Sequence, residues 1–441
     1  MLETQSRRES NARSYPRHLP LALARASGVW VTDVEGNRYL DCLAAAGTLA
    51  LGHNHPAVVS ALQQALQDQL PMQTLDITTP AKEAFIDRLF SLLPSPLRRD
   101  ARIQFCGPSG ADAVEASLKL VKSATGRDNI LAFHGAFHGM THGALALTGN
   151  LNPKRNVGNL MPGVHFLPYP YPYRCPFGLG AAGSEISANY IDHLLSDPES
   201  GIVEPAGMIL EAVQGEGGVI PAPDAWLRRV REITQRHHVP LMIDEIQAGI
   251  GRTGRFFAFD QSGIVPDVII MSKALGGGLP LAVVVYHKDL DVWQPAAHTG
   301  TFRGNQLAMV AGEAGLRVMM EENLPAHAAA MGKKFITGLR QLASLHPEIG
   351  EVRGRGLMLG IELVDPSGSA DRLGSRPANP NLAKAVQQHC LQRGLILELG
   401  GRHGAIVRLL PPLIITEAEV EMALQRFGDA LSAAIHDQNR G

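Results

Sequence analysis

Apolar residues along this chain fall into two alternating textures. Short unbroken runs recur in the middle of the sequence: GMILEAV at 207–213, Leu241-Met242-Ile243 within VPLMIDEIQ, and Val268-Ile269-Ile270-Met271 after Asp267. A run that is apolar on successive positions predicts a parallel strand covered on both faces, since a half-exposed strand would alternate. Between these runs the spacing is helical, as in Val59, Leu62, Leu66 and Leu70 after Pro56, in Val114, Leu118 and Val121 after Ser109, and over 224–237. The alternation from 102 to 286 therefore predicts an α/β fold with a mostly parallel sheet flanked by helices.

Outside that stretch the texture changes. Residues 28–41 read as a hairpin turning at Glu35-Gly36-Asn37. PYPYPYRCPFGLGAAGSE makes 151–200 read as one long surface loop or lid, because proline and glycine on this scale defeat regular structure. Past about 315 a helix runs to Leu345. The strand LMLGIEL, a polar loop, a helix to Arg393, the strands LILEL and AIVRLL, and a last helix from Thr416 follow. That is a smaller α+β unit. The expected division is 1–55, a segment packing with the small domain, 56–315, the large domain, and 316–441, the small C-terminal domain.

Composition narrows the function. A net charge of −2 over 441 residues supplies no basic footprint for nucleic acid. No apolar run approaches the ~20 residues of a membrane span, and the polar start lacks the core of a secretory signal. Four cysteines without CxxC spacing point to a reducing compartment, so a cytoplasmic protein is expected.

Chemistry concentrates at the ends of two apolar runs. Asp244 closes one and Lys273 follows the other, so two neighbouring strands would deliver an acid and an amine to the carboxyl edge where open α/β sheets bind ligands. The pair suits pyridoxal phosphate: the lysine forms a Schiff base with the cofactor aldehyde, and the aspartate keeps the pyridine nitrogen protonated. On these two residues alone, a salt bridge at a strand edge accounts for them equally well. Ser109 opens a helix, with Asp112 three positions on, and the free N–H groups beside Gly107, Ser109 and Gly110 would hold a phosphate or serve plain capping. His134, His138 and His142 stand four apart, but each is followed by glycine and no acid is interleaved, so no metal is expected. A strand ending in an aromatic that covers a flat ring fits better, with Phe137 as the cover or as a core residue. Arg408 would offer a guanidinium to a carboxylate, or form a surface ion pair. Gly249, Gly251 and Gly254 spell GxGxxG, but Asp244 to Gln247 separate it from its strand and no helical pattern follows, which counts against a nicotinamide site.

CGPSGADAVEASLKL, FHGAFHG, EAVQGEGG, LMIDEIQAGIGRTG, SKALGGGLP and GTFRGNQLA, in this order, resemble the class III (omega) family of pyridoxal-phosphate aminotransferases over nearly the whole chain. The resemblance implies fold type I, with Lys273 as the Schiff-base lysine and proton shuttle, Asp244 as the pyridinium partner and Gln247 on the ring-hydroxyl side. It also implies a phosphate cup at Ser109, Gly110 and Ala111, and a ring-covering pair in Phe137 and His138. Thr301 would reach the phosphate of a neighbouring subunit, so an obligate homodimer with shared sites is implied. Glu211 and Glu216 match the acids of the family's EPxxGEGG turn, with Ala212 in place of its proline, and Glu216 would gate Arg408 for the carboxylate of a keto-acid acceptor. Met140 stands where many members carry an arginine. Within the family, ESNARSY, AGTLALGHNHP and HTGTFRGNQLA look like the diaminobutyrate-2-oxoglutarate branch. The ornithine, acetylornithine and 4-aminobutyrate branches remain the alternatives. The group holding the donor's α-carboxylate is unassigned, with Arg13 as one candidate.

Overall fold

In the computed structural model, which describes residues 1–438, the chain opens with an antiparallel meander of β1 (Leu23–Ser27), β2 (Trp30–Asp33) and β3 (Arg38–Asp41). Asp33 makes the hairpin turn, its Oδ1 accepting from the N–H groups of Glu35 and Asn37 at 2.9 Å each.

Seven strands form the central sheet: β4 (Ala101–Phe105), β5 (Ile130–Phe133), β6 (Val164–Leu167), β7 (Gly207–Leu210) and, after a small ribbon of β8 (Val213–Gln214) and β9 (Ile220–Pro221), β10 (Leu241–Asp244), β11 (Val268–Met271) and β12 (Val283–His287). Their order is β4, β12, β11, β10, β7, β5, β6, and only β12 runs against the rest. Every residue of β5, β7, β10 and β11 is buried, which is why these segments are apolar at successive positions. Register then places the chemistry. Asp244 stands opposite Ile270 in the parallel ladder, and Lys273 follows three residues after Ile270 on the same edge.

The 151–200 segment is not one loop. It contains β6 at the sheet edge and the helix Gly183–Ser196, whose buried Ser187, Ala188, Ile191 and Leu194 keep helical spacing behind the proline-rich stretch. The expected domain boundary at 315 also moves, because the helix Gln306–Glu321 runs straight through it. The chain breaks instead at Asn323, in the left-handed region at φ 49°, before the helix Leu324–Leu345.

The C-terminal unit carries β13 (Ile349–Arg355), missed in the sequence, then β14 (Met358–Leu363), β15 (Leu395–Ile396), β16 (Glu398–Gly400) and β17 (Ile406–Leu409). Its antiparallel sheet runs β13, β14, β17, β16. β15 leaves that sheet and pairs in parallel with β3, so the N-terminal meander and the C-terminal unit share one sheet. β15 thus ties the N-terminal meander to the C-terminal unit; residues 439–441 lie outside the described residues. No helix among the described residues is long and apolar enough to cross a membrane.

The helix Leu324–Leu345 packs closely enough on the turn between β13 and β14 that a Cβ on Gly332 would collide with the Gly356 carbonyl oxygen. Gly332→Ala is expected to cost about 1–3 kcal/mol through this overpacking. Urea unfolding followed by circular dichroism should show a lower midpoint than the parent chain.

Candidate active site

Asp244 ends β10 almost fully buried, and a carboxylate there needs partners. One oxygen accepts from the Ile246 N–H at 3.0 Å, and the other lies 2.7 Å from Nδ1 of the buried His138. His138 Nε2 is buried with no partner among the described residues. Lys273 sits in a left-handed backbone conformation, φ 49°, uncommon for a side chain of this size. Burial, chiefly, holds its amine below the ordinary lysine range, while Glu216, Asp244 and Glu211 act to raise it.

The aromatic expected at a strand end is presented differently. β5 stops at Phe133, and Phe137 and His138 sit in the loop that follows. Glu211, one residue past β7, fixes that loop: its carboxylate accepts from the Phe137 N–H at 3.0 Å and the Gly215 N–H at 2.9 Å. Burial pushes the Glu211 carboxyl well above the usual carboxylate range, and the negative Asp244 adds to it. The three histidines diverge, His134 stacking on Phe166 while His138 turns inward to Asp244. His142 starts a short helix, His142–Leu147, that its glycines argued against.

Ser109 caps the helix Gly110–Thr125, its hydroxyl accepting from the Asp112 N–H at 3.2 Å. The reciprocal bond goes elsewhere than a capping box requires. Asp112 Oδ2 accepts from the Gly107 N–H at 2.6 Å and lies 3.1 Å from His298 Nε2, closing the turn before the helix. Where the helix begins, Gly110 sits close against Ile246, since a Cβ there would come within 2.8 Å of Ile246 Cδ1. The first N–H groups of this helix have no intrahelical acceptor and face the same region.

A cavity of about 150 Å³ joins these pieces, lined by Gly110, Ala111, Phe137, His138, Gly139, Glu211, Glu216, Asp244, Ile246, Gln247 and Lys273. Gln247 Nε2 donates to the Ala46 carbonyl at 3.1 Å, and its Oε1 is buried without a partner among the described residues. Arg408, fully buried on β17, reaches the cavity through Glu216, whose Oε1 is 2.7 Å from its Nη2. Burial acts to raise the Glu216 carboxyl, but Arg408 and then Lys273 hold it below its usual value.

Three expectations lie apart from this cavity, the first being Ser109, exposed at its helix cap. Thr301 is exposed and does not line it; its loop leans on the chain's own helix start, with Gly300 beside Gly107. Arg13 spends its guanidinium within the N-terminal segment, on Ser6 and the Ser10 carbonyl. Conversely, Glu398 and Tyr15 were not foreseen: Glu398 Oε2 lies 2.6 Å from Arg408 Nη2, and its Oε1 accepts from the Tyr15 hydroxyl at 2.8 Å. The sole signal for them was one acid inside the apolar run LILEL.

A family model described as Aminotransferase class-III matches residues 11–431. The chain belongs to the class-III aminotransferases. Among curated relatives of this aminotransferase chain, the diaminobutyrate-2-oxoglutarate aminotransferase of Rhizobium meliloti (strain 1021) is 56% identical over 442 residues, covering 100% of this chain and 93% of that protein. The protein of the same name from Haemophilus influenzae is 55% identical, covering 98% of this chain and 95% of its own length. Among solved structures, an amine transaminase from an uncultivated Pseudomonas species in its PLP-bound form superposes with a TM-score of 0.86 at 27% identity, covering 97% of this chain and 98% of that one.

Beside the class-III site, Glu245 is fully buried, its carboxylate accepting from the N–H groups of Ala258 at 2.8 Å and Phe259 at 3.2 Å. Burial pushes its carboxyl from the ordinary 4.5 up to about 8. An acid raised in the folded state is protonated in both states below pH 4.5; above that, the unfolded chain ionises first and stability falls until the folded carboxyl titrates near 8. Thermal midpoints measured from pH 4.5 to 8 should therefore fall more steeply for the parent chain than for Glu245→Gln, and run parallel above pH 8.

Proposed function

We propose that this chain is a pyridoxal-phosphate-dependent aminotransferase that moves the terminal amino group between L-2,4-diaminobutyrate and 2-oxoglutarate, through the aspartate 4-semialdehyde and glutamate pair. The geometry supports the reaction class; the 56% full-length identity to the Rhizobium meliloti protein carries the substrate.

The cavity fits a flat, phosphorylated pyridine aldehyde. It offers an amine at Lys273, an acid at Asp244, an aromatic face at Phe137 and the helix start at Gly110 and Ala111, just past the Ser109 cap, and it leaves His138 Nε2 and Gln247 Oε1 buried without partners among the described residues. Bound there, pyridoxal phosphate supplies an electron sink that stabilises the carbanion left when a proton leaves the carbon bearing the amine.

The chain's own residues do the rest. Lys273, its amine made less basic by burial, would hold the cofactor aldehyde until the donor's amine displaces it, and the freed amine would then carry the proton. Asp244 would hold the ring nitrogen of the cofactor, and its hydrogen bond with His138 fixes its position. Glu211 holds the loop of Phe137, whose face would cover the ring, and Gln247 would lie on the ring-hydroxyl side. Glu216 paired with Arg408 leaves the pocket open to a cationic donor; once Glu216 swings aside, Arg408 takes a carboxylate of 2-oxoglutarate. Alternation of the two substrates in one pocket implies ping-pong kinetics.

The exposed Thr301 and Phe302, together with exposed Met72, Leu75 and Ile77, support a homodimer in which Thr301 completes the phosphate site of the partner. Four unpaired cysteines support a cytoplasmic location.

Glutamate formation from 2-oxoglutarate should be fastest with L-2,4-diaminobutyrate in a panel that includes ornithine, acetylornithine and 4-aminobutyrate. Much faster turnover of any of those would sink the substrate assignment. Lys273→Ala should lose all turnover in the same assay while its thermal midpoint stays close to that of the parent.

A further inference from the structure

Arg408 has more counter-charge than a simple gate requires. Its guanidinium touches Glu216 at 2.7 Å from the large domain and Glu398 at 2.6 Å from the C-terminal sheet. The two acids are mounted differently. Glu398 is the direct cross-strand partner of Arg408 in the β16–β17 ladder, its side chain is 12% exposed, and the Tyr15 hydroxyl donates to its other oxygen. Gly400, two residues on and on the same strand face, leaves room for the guanidinium to lie across β16, since a Cβ there would come within 2.8 Å of Arg408 Nε. Glu216 stands in the glycine turn 215–218 with its side chain 33% exposed and lines the cavity. After both acids are counted, Arg408 Nε and Nη1 are still buried without acceptors among the described residues.

We propose that Glu398, steadied by Tyr15, is a stationary second counter-ion of Arg408 and sets how tightly this site grips the carboxylate of the keto-acid acceptor. The inference rests on the reading of Arg408 as the acceptor's carboxylate site. With Glu216 in place, the trio carries a net charge of −1, which favours a cationic donor. With Glu216 gone, an incoming carboxylate meets a guanidinium already paired with Glu398, neutral overall. The spare donors bind it, while repulsion from Glu398 keeps the grip loose enough for the dicarboxylate product to leave before the next donor arrives. Glu398 is a positioning and specificity-determining residue, acting through Arg408.

The test uses the holoenzyme and glutarate, a dicarboxylate that has no keto group and so only binds. Calorimetry on Glu398→Gln should show glutarate binding roughly tenfold tighter than to the parent. In steady-state kinetics, KM should fall for the keto-acid acceptor and rise for the diamine donor. Disruption of the fold would weaken both, so these opposite shifts separate a charge effect from structural damage. Tyr15→Phe, in an exposed segment, should move all three quantities the same way but less. Unchanged or weaker glutarate binding by Glu398→Gln and Tyr15→Phe overturns the inference and leaves the Arg408 reading standing. If Arg408→Lys leaves glutarate binding unchanged, that reading falls and the inference with it.

Discussion

Charges taken out of water must be compensated where they lie, and this constraint shapes the centre of the molecule. Each uncompensated ion would cost several kcal/mol, a large share of a protein's net stability. Asp244 is met by His138 and a backbone N–H, Glu211 by two backbone N–H groups, and Arg408 by two carboxylates. Lys273 has no such close partner among the described residues, and burial makes its amine less basic. The unequal treatment is functional, because an amine that is to act as nucleophile and proton carrier must spend part of its time neutral.

Compensation of this kind ties distant parts of the chain together. Glu211 reaches from the end of β7 to the loop after β5, and Asp244 from the end of β10 to the same loop. The backbone bears strain at the same place: Lys273 is left-handed, and so are Ala44, Ala45 and Ala46 in succession. Such residues cost about 1–3 kcal/mol each and persist only where their surroundings over-determine them. Here Asp41 accepts from the N–H groups of Leu43 and Ala44 at 2.9 Å each, and Gln247 binds the Ala46 carbonyl from the cavity side.

What could be read in the sequence follows from the range of each signal. β7, β10 and β11 were legible because burial on both faces leaves an unmistakable apolar run, and the position of Asp244 and Lys273 at the edge follows from the ends of those runs. The helix Gly183–Ser196 was hidden because the prolines and glycines just before it dominate any window that includes them. β13 was missed because its charged residues, Glu351, Arg353 and Arg355, look exposed, whereas Arg353 is buried against Glu362 and Glu351 and the Gly218 carbonyl. Glu398 was missed for a different reason. Its meaning depends on standing opposite Arg408, and cross-strand register is set by pairing, which no local pattern records.

Arg408 is where all three parts of the chain meet, with Tyr15 from the N-terminal segment, Glu216 from the large domain and Glu398 from the C-terminal sheet. A pocket that must accept a cationic amine and a dicarboxylate in turn cannot hold a fixed charge of either sign, because complementarity to one substrate would exclude the other. A guanidinium between one tethered acid and one on a glycine turn meets that requirement, since the movement of a single side chain changes the local charge by one unit. On the proposed reading the remaining pair stays in place while that charge changes, so the strands β16 and β17 serve as a rigid mount and the Glu216 side chain as the moving part.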